Sequence, residues 1–291
     1  MSTFDVEGRT LHYLAAGSGP PLVFVHGSGG CAGQWKHHCR HFSGTHRVMA
    51  YDLIGCGANQ PLAIPSTFSY QHDAAALIAA IEHIGAPADV VTHSAGGIGA
   101  ILAALDRPAA IRTLTLFEPV LFSLLGDRHR PAIEALRDLA SSYRLLHQAD
   151  GPGAAMGLFV DFWNGPGSWQ RLPGAVQQSM VAGAGRLYLE WGVFLSGASP
   201  LRAADLARLS QPVLYFCGER TIEPMKQVTE IVLAQLPNAR QVSVPGANHM
   251  SPFTHAAQVV ADIERHLGAP LEAPAGVAAG VIGVRGPRPG E

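Results

Sequence analysis

Short apolar segments alternate with amphipathic helical segments along most of the chain. The apolar segments include "PLVFV", "DVVTH", "TLTLF" and "PVLYF". They are rich in β-branched and aromatic residues and too short for helices, so we predict that they are buried strands. The segment "YQHDAAALIAAIEHI" instead repeats apolar residues at helical spacing. Continuous apolar strands that alternate with helices indicate a mostly parallel, twisted sheet with helices on both faces, which is an α/β fold.

The alternation breaks between residues 121 and 200, where two helical segments flank a stretch rich in glycine, proline and tryptophan. We predict that this insertion forms a helical cap over the strand ends, because open α/β sheets bind ligands at that edge. Residues 1–120 and 201–267 then form the core. Residues 268–291 consist mostly of glycine, proline, alanine and valine, and we expect a flexible C-terminal tail.

Composition narrows the possible partners and location. Hydrophobic residues make up 47% of the chain and charged residues 14%, which suits a packed core. A net charge of −2 indicates neither nucleic acid nor an anionic membrane as partner. The chain has no signal-peptide pattern at its start, no run of eighteen apolar residues and only four cysteines. We therefore expect a cytoplasmic protein that acts on a small molecule; the oligomeric state stays open.

A serine stands between a predicted strand and a predicted helix in "THSAGG". The spacing is that of the nucleophile elbow G-x-S-x-G, with Thr92 in place of the first glycine and Gly96 in place of the second. An elbow exposes the serine hydroxyl, here of Ser94, and directs the N–H of the next residue, Ala95, at a developing oxyanion. Ser94 is thus a candidate nucleophile; from this segment alone, an ordinary strand-to-helix turn is the alternative.

Two further loops supply partners for such a nucleophile. In "VFVHGSGG" the N–H of Ser28 follows a strand and is the candidate second oxyanion donor. In "VPGANHMSP" His249 follows the last predicted strand and can approach Ser94 from a neighbouring strand end. A serine hydroxyl is a poor nucleophile until a base takes its proton, so we predict that Ser94 and His249 act together.

With these motifs in order, the sequence resembles serine hydrolases of the α/β-hydrolase superfamily. The resemblance extends from residue 1 to about residue 267 and rests on "HGSGG", "DLIGCG", "THSAGG", "GERTIEP" and "GANHM". It implies the α/β-hydrolase fold with a cap. It also implies a cofactor-independent, carboxylesterase-like hydrolase that cleaves an ester, thioester, lactone or similar acyl bond of a small apolar molecule.

The acid of the expected triad departs from the usual pattern. The family usually carries it after the seventh strand as G-x-x-D, where this chain has Thr221. Some relatives, notably the haloalkane dehalogenases, carry it at the end of the sixth strand, where this chain has Glu118 in "LTLFEP". The resemblance therefore implies that Glu118 orients His249. Glu223 remains the alternative acid, although it stands at a predicted helix start where a carboxylate also suits the helix dipole.

The cap supplies candidate pocket walls, and no motif supplies a cofactor. Phe122, Trp163 and Trp191 are predicted to line an apolar pocket that opens onto Ser94, with packing inside the cap as the alternative for its tryptophans. The segment "KHHCRHF" is interpreted as the solvated face of a surface helix, since neither C-x-x-C nor H-E-x-x-H is present. No metal and no cofactor are expected.

Two other functions remain open at this point. The same triad on the same capped fold can hydrolyse the C–C bond of a diketone. The fold can also serve as a small-molecule receptor without catalysis. Thr92 and Thr221, which depart from the hydrolase motifs, keep the receptor alternative open.

Overall fold

The chain folds around one eight-stranded sheet in a computed structural model that describes residues 2–64, 67–199 and 201–268. The strands are β1 (Ser2–Val6), β2 (Arg9–Ala16), β3 (Pro21–Val25), β4 (Arg47–Tyr51), β5 (Ala88–His93), β6 (Ile111–Phe117), β7 (Val213–Gly218) and β8 (Ala239–Val244). Their order is β1-β2-β4-β3-β5-β6-β7-β8. β2 pairs antiparallel with β1 and β4, and the other neighbours are parallel. The predicted fold class is confirmed.

Helices connect the strands and complete the chain. They are α1 (Lys36–Phe42), α2 (Tyr70–Ile84), α3 (Gly96–Asp106), α4 (Arg130–Ala149), α5 (Pro152–Asn164), α6 (Ser168–Arg171), α7 (Gly174–Ala182), α8 (Ala184–Leu195), α9 (Glu223–Leu233), α10 (Ser251–Thr254) and α11 (Ala256–Gly268). The tail predicted from residue 268 lies outside the described residues, except for Gly268, which ends α11. No helix within the described ranges combines the length and apolar character needed to cross a membrane.

Side chains alternate between two hydrophobic clusters on opposite faces of the sheet. In β3, Val23 and Val25 join the larger cluster, whereas Leu22 and Phe24 join the smaller one. The larger cluster contains residues of α2, α3 and the inserted helices; the smaller contains residues of α1 and α11. Both faces of the central strands are buried, which explains why these strands are continuously apolar instead of alternating in polarity.

Helices α4 to α8 form the insertion between β6 and β7, as the break in the sequence pattern indicated. A buried ion pair joins them to the core, because Arg186 of α8 donates to both carboxylate oxygens of Asp73 in α2. Arg186 also donates to the carbonyl oxygen of Ile54, at 3.0 Å. The inserted helices are therefore fixed to two separate parts of the core.

The histidine-rich helix α1 is not simply a solvated face, and that interpretation was wrong for two of its residues. His38 is fully buried, with its ring centroid 4.9 Å from that of Trp35, and burial lowers the pKa of His38 to about 3. Cys39 is also buried. The segment is amphipathic, and its buried half packs in the smaller hydrophobic cluster.

Candidate active site

Ser94 occupies a sharp turn between β5 and α3. Its φ is 56°, a left-handed conformation that is uncommon for a residue other than glycine. The Ser94 N–H donates to the carbonyl oxygen of Phe117 at 2.9 Å, and Gly97 N–H donates to the carbonyl oxygen of Ser94 at 3.0 Å. Such strained backbone persists only where its surroundings hold it, and it is concentrated at functional sites. The turn has the conformation expected of a nucleophile elbow.

Backbone crowding around the turn explains its glycines. A Cβ atom at Gly96 would lie 2.4 Å from the carbonyl oxygen of His26, and one at Gly27 would lie 2.6 Å from the Cβ atom of Ser94. The loop after β3 and the turn after β5 therefore touch. Thr92, in place of the first glycine of the motif, is accommodated because its hydroxyl donates to the carbonyl oxygen of Thr115 at 3.3 Å.

The loop after β3, which carries Ser28, is held by His26. Its Nδ1 lies 2.7 Å from the carbonyl oxygen of Gly27, and its Nε2 accepts a hydrogen bond from the N–H of Leu53 at 3.0 Å. A neutral ring with its proton on Nδ1 satisfies both contacts. Burial lowers the pKa of His26 to about 4, which keeps the ring neutral near pH 7. This anchoring keeps Ser28 beside the turn that contains Ser94.

Glu118 and His249 form a buried pair. Glu118 follows β6 with a φ of 44°, and its Oε2 lies 2.7 Å from Nδ1 of His249. Glu118 Oε1 accepts a hydrogen bond from the N–H of Gly218 at 2.7 Å, and Oε2 accepts one from the hydroxyl of Thr221 at 2.8 Å. Thr221, which stands where the family usually carries its acid, thus donates to the Glu118 carboxylate.

The alternative acid is placed elsewhere. Glu223 begins α9, and its side chain is 68% exposed. Its Oε2 lies 3.9 Å from Nζ of Lys226 on the same helix, and its Oε1 accepts a hydrogen bond from Gln227 at 3.5 Å. This geometry is that of a solvated residue in the first turn of a helix, where a carboxylate interacts favourably with the dipole.

Two aromatic residues contact His249 in ways that were not predicted from the sequence. Trp163, predicted as a pocket wall, stacks on the His249 ring with centroids 3.7 Å apart and planes at 17°. Nε2 of His93 lies 2.9 Å from the carbonyl oxygen of His249, and burial lowers the pKa of His93 well below its ordinary value. Position next to Ser94 was a sequence signal for His93. Nothing in the sequence indicated the stacking of Trp163.

Two pockets meet at Ser94, and both are bounded by the inserted helices. The apolar pocket is lined by Ser28, Tyr70, Ser94, Ile98, Val120, Phe122, Ser123, Phe159, Leu187, Glu190, Trp191, Val193, Phe194 and Ala198. The histidine pocket contains Ser28, His93, Ser94, Phe159 and His249 among its lining residues. Of the three residues predicted as pocket walls, Phe122 and Trp191 are among these lining residues and Trp163 is in neither set. Glu190, a buried carboxylate in the same wall, was not predicted.

The described part of the chain holds no group of three or more histidine, cysteine, aspartate or glutamate side chains arranged to bind a metal ion. Its four cysteines, Cys31, Cys39, Cys56 and Cys217, are unpaired. The polar side chains at these strand ends are instead the Ser94 hydroxyl, the buried imidazole of His249 and the buried carboxylate of Glu118. Such a set is suited to proton transfer and nucleophilic attack.

Residues 22–263 match the model of the alpha/beta hydrolase family. The chain belongs to this family. It is 31% identical over 147 residues to the uncharacterized hydrolase YraK of Bacillus subtilis (strain 168), a match that covers 49% of this chain and 53% of that protein. The chain thus spans about half the length of this relative, and about a third to a half of the other curated relatives it matches.

Solved structures of the family share the fold over nearly the whole chain. The thermophilic esterase from Thermogutta terrifontis has a TM-score of 0.73 at 21% identity, covering 92% of this chain and 98% of that one. The enol-lactonase from Burkholderia xenovorans LB400 has a TM-score of 0.75 at 17% identity, covering 92% of this chain and 100% of that one. At these identities the likeness is one of fold.

Proposed function

We propose that this member of the alpha/beta hydrolase family is a serine hydrolase of an acyl bond, with Ser94, His249 and Glu118 as its triad. The observation that carries the proposal is the 2.7 Å contact between Glu118 Oε2 and His249 Nδ1. A histidine held in this way presents its other nitrogen, Nε2, for proton transfer. His249 and Ser94 line the same pocket, so the imidazole and the hydroxyl face the same space.

The proposed reaction uses these groups in two steps. His249 takes the proton of Ser94 while the Ser94 Oγ attacks the carbonyl carbon of the substrate. His249 then gives that proton to the departing alcohol, thiol or amine. Water hydrolyses the resulting acyl-enzyme by the same route. The N–H groups of Ser28 and Ala95 stabilise the oxyanion of each tetrahedral intermediate. Glu118 stabilises the imidazolium that forms transiently.

The pocket walls support an apolar acyl group. Most residues that line the apolar pocket are aliphatic or aromatic, and Phe159 is shared with the histidine pocket. Because Ser94 lies at the junction, one pocket can take the acyl group and the other the leaving group. The fold shared with an esterase and an enol-lactonase supports an ester or lactone as the bond cleaved.

The structural role of Thr221 weakens the main argument for a receptor without catalysis. The hydroxyl of Thr221 donates to Glu118. The chain therefore lacks the usual aspartate after β7 but has a carboxylate after β6. A binding protein has no need of a carboxylate paired with a buried histidine. The hydrolysis of a diketone C–C bond would use the same groups, and only an experiment distinguishes it from the hydrolysis of an acyl bond.

Steady-state hydrolysis of p-nitrophenyl acetate, butyrate and hexanoate, compared with cleavage of a vinylogous diketone, tests the proposal. We expect turnover of at least one ester and a loss of roughly 10⁴- to 10⁶-fold in kcat for Ser94→Ala, with unchanged circular dichroism. Turnover of the diketone alone would favour the C–C hydrolase. Saturable binding of these compounds without turnover would favour the receptor.

A further inference from the structure

A carboxylate lies in the wall of the apolar pocket, whose lining is mostly aliphatic and aromatic. Glu190 of α8 is only 5% exposed, and it lines this pocket together with Ser94. Its Oε1 accepts a hydrogen bond from Nε of Arg186 at 2.7 Å, and its Oε2 accepts one from the hydroxyl of Ser28. A carboxylate offers about four acceptor positions, so these two donors leave capacity for a ligand.

The charges around Glu190 do not balance. Arg186 is fully buried and also donates to Asp73, so one guanidinium serves two carboxylates. With both carboxylates ionised, the cluster carries one negative charge in excess. Burial raises the pKa of the Glu190 carboxyl, and the nearby Arg186 opposes this shift. A buried charge of this kind is costly unless a further partner compensates it.

We propose that the apolar pocket binds a ligand group that carries a protonated primary amine, with the ammonium on Glu190 and the apolar stem against Trp191 and Phe194. An ammonium has three donors and one positive charge, so it fills the free acceptor positions and neutralises the cluster. A carboxylate ligand is repelled, and a neutral hydroxyl supplies a donor without the charge. Resting on the proposed function, the inference places a protonated amine at the far end of the apolar chain of the acyl group that Ser94 receives.

Binding to the Ser94→Ala protein tests this without turnover. The probes are n-butylammonium, 1-butanol and butyrate, which share one chain and differ in the polar end. Affinity is followed by tryptophan fluorescence, since Trp191 lines the pocket. We expect butylammonium to bind roughly tenfold or more tightly than 1-butanol, and butyrate to bind least. This order is measured with Glu190 intact and so does not depend on a Glu190 variant folding.

Two further variants locate the effect. Adding Glu190→Gln to the Ser94→Ala background is expected to remove the preference for butylammonium over 1-butanol. Adding Glu223→Gln, which changes an exposed carboxylate on α9, is expected to leave it intact. Equal affinity for butylammonium and 1-butanol, no saturable butylammonium binding, or a preference that survives Glu190→Gln would each overturn the proposal. None of these outcomes bears on whether Ser94 is a nucleophile, which is tested separately by covalent labelling.

Discussion

Ser94 and Glu118 both adopt left-handed backbone at the ends of neighbouring strands, with φ of 56° and 44°. Neither residue is glycine, so each turn carries a steric cost that the surrounding structure must offset. In both cases the turn brings a polar side chain to the edge of the sheet where the inserted helices close over it. The placement of both side chains thus originates in two local backbone conformations.

Exchange of single carboxylates tests which acid orients His249. We expect Glu118→Gln to lower kcat by roughly 10⁴-fold, because the amide cannot stabilise the imidazolium or hold the correct tautomer. Glu223→Gln, the matched control, should change kcat little because Glu223 is exposed on α9. Kinetics on the preferred p-nitrophenyl ester provide the measurement. A large loss of kcat in Glu223→Gln, together with an unchanged kcat in Glu118→Gln, would show that the acid is the one after β7.

Trp163 is a positioning residue in this account, because it stacks on His249 and lines neither of the two pockets at Ser94. Aromatic pairs contribute about 0.5–1.5 kcal/mol beyond burial, so Trp163→Ala should lower kcat by roughly 2- to 12-fold with little change in KM. Trp163→Phe should recover most of the loss. Trp169→Ala, which removes another tryptophan of the inserted segment, is the control. An effect on KM alone would argue for a pocket wall instead.

These single residues also mark the limit of sequence reasoning. Ser94 and His249 were predicted because each follows a strand, and strand ends are recognisable from apolar runs and glycines. Glu118 was predicted from the resemblance to relatives that carry their acid at the end of the sixth strand. The stacking of Trp163 and the place of Glu190 were not predicted. Both depend on how the inserted helices settle on the core, and helical periodicity in one sequence does not encode that orientation.

At the scale of elements, a buried ionic cluster fastens helix α8 to helix α2. Arg186 is fully buried and contacts Asp73 in α2 and Glu190 four residues along its own helix. Through the hydroxyl of Ser28, Glu190 also connects the cluster to the loop after β3. Helix α8, helix α2 and the predicted oxyanion loop are therefore held by one network.

Removal of the shared cation tests this network. Arg186→Met leaves two buried carboxylates without a counterion and should lower the free energy of unfolding by roughly 3–5 kcal/mol. Arg202→Met removes an arginine whose side chain is 82% exposed and which pairs with Asp205, and should leave the free energy of unfolding nearly unchanged. Chemical denaturation of both variants and the wild type gives the comparison. Equal, small losses would show that the cluster does not hold the helices.

At the scale of the whole molecule, folding stability and ligand recognition make opposite demands on Glu190. The mostly parallel sheet was predicted from the alternation of apolar strands and helices, since burial on both faces imposes that pattern. A carboxylate inside an apolar pocket does not follow from burial. Its ionised form is costly to bury, although Arg186 and Ser28 both donate to it, and the proposed ammonium would offset that cost.

The pH dependence of unfolding tests that view. Burial raises the pKa of the Glu190 carboxyl, so the folded protein holds this proton more tightly than the unfolded chain. As pH rises from below the ordinary carboxyl value through the raised one, the wild type should lose stability relative to Glu190→Gln, which has no proton to release there. Denaturation of both proteins across this range is the measurement. A stability difference that stays constant with pH would contradict the prediction.

Covalent labelling of Ser94 tests the central claim most directly. A fluorophosphonate reacts with a serine that a neighbouring base activates, so intact-mass and peptide spectrometry should find one adduct per chain, located on Ser94. His249→Ala should be labelled far more slowly, and Ser94→Ala should not be labelled at all. Labelling at another residue, or an adduct that persists in folded Ser94→Ala, would contradict the account.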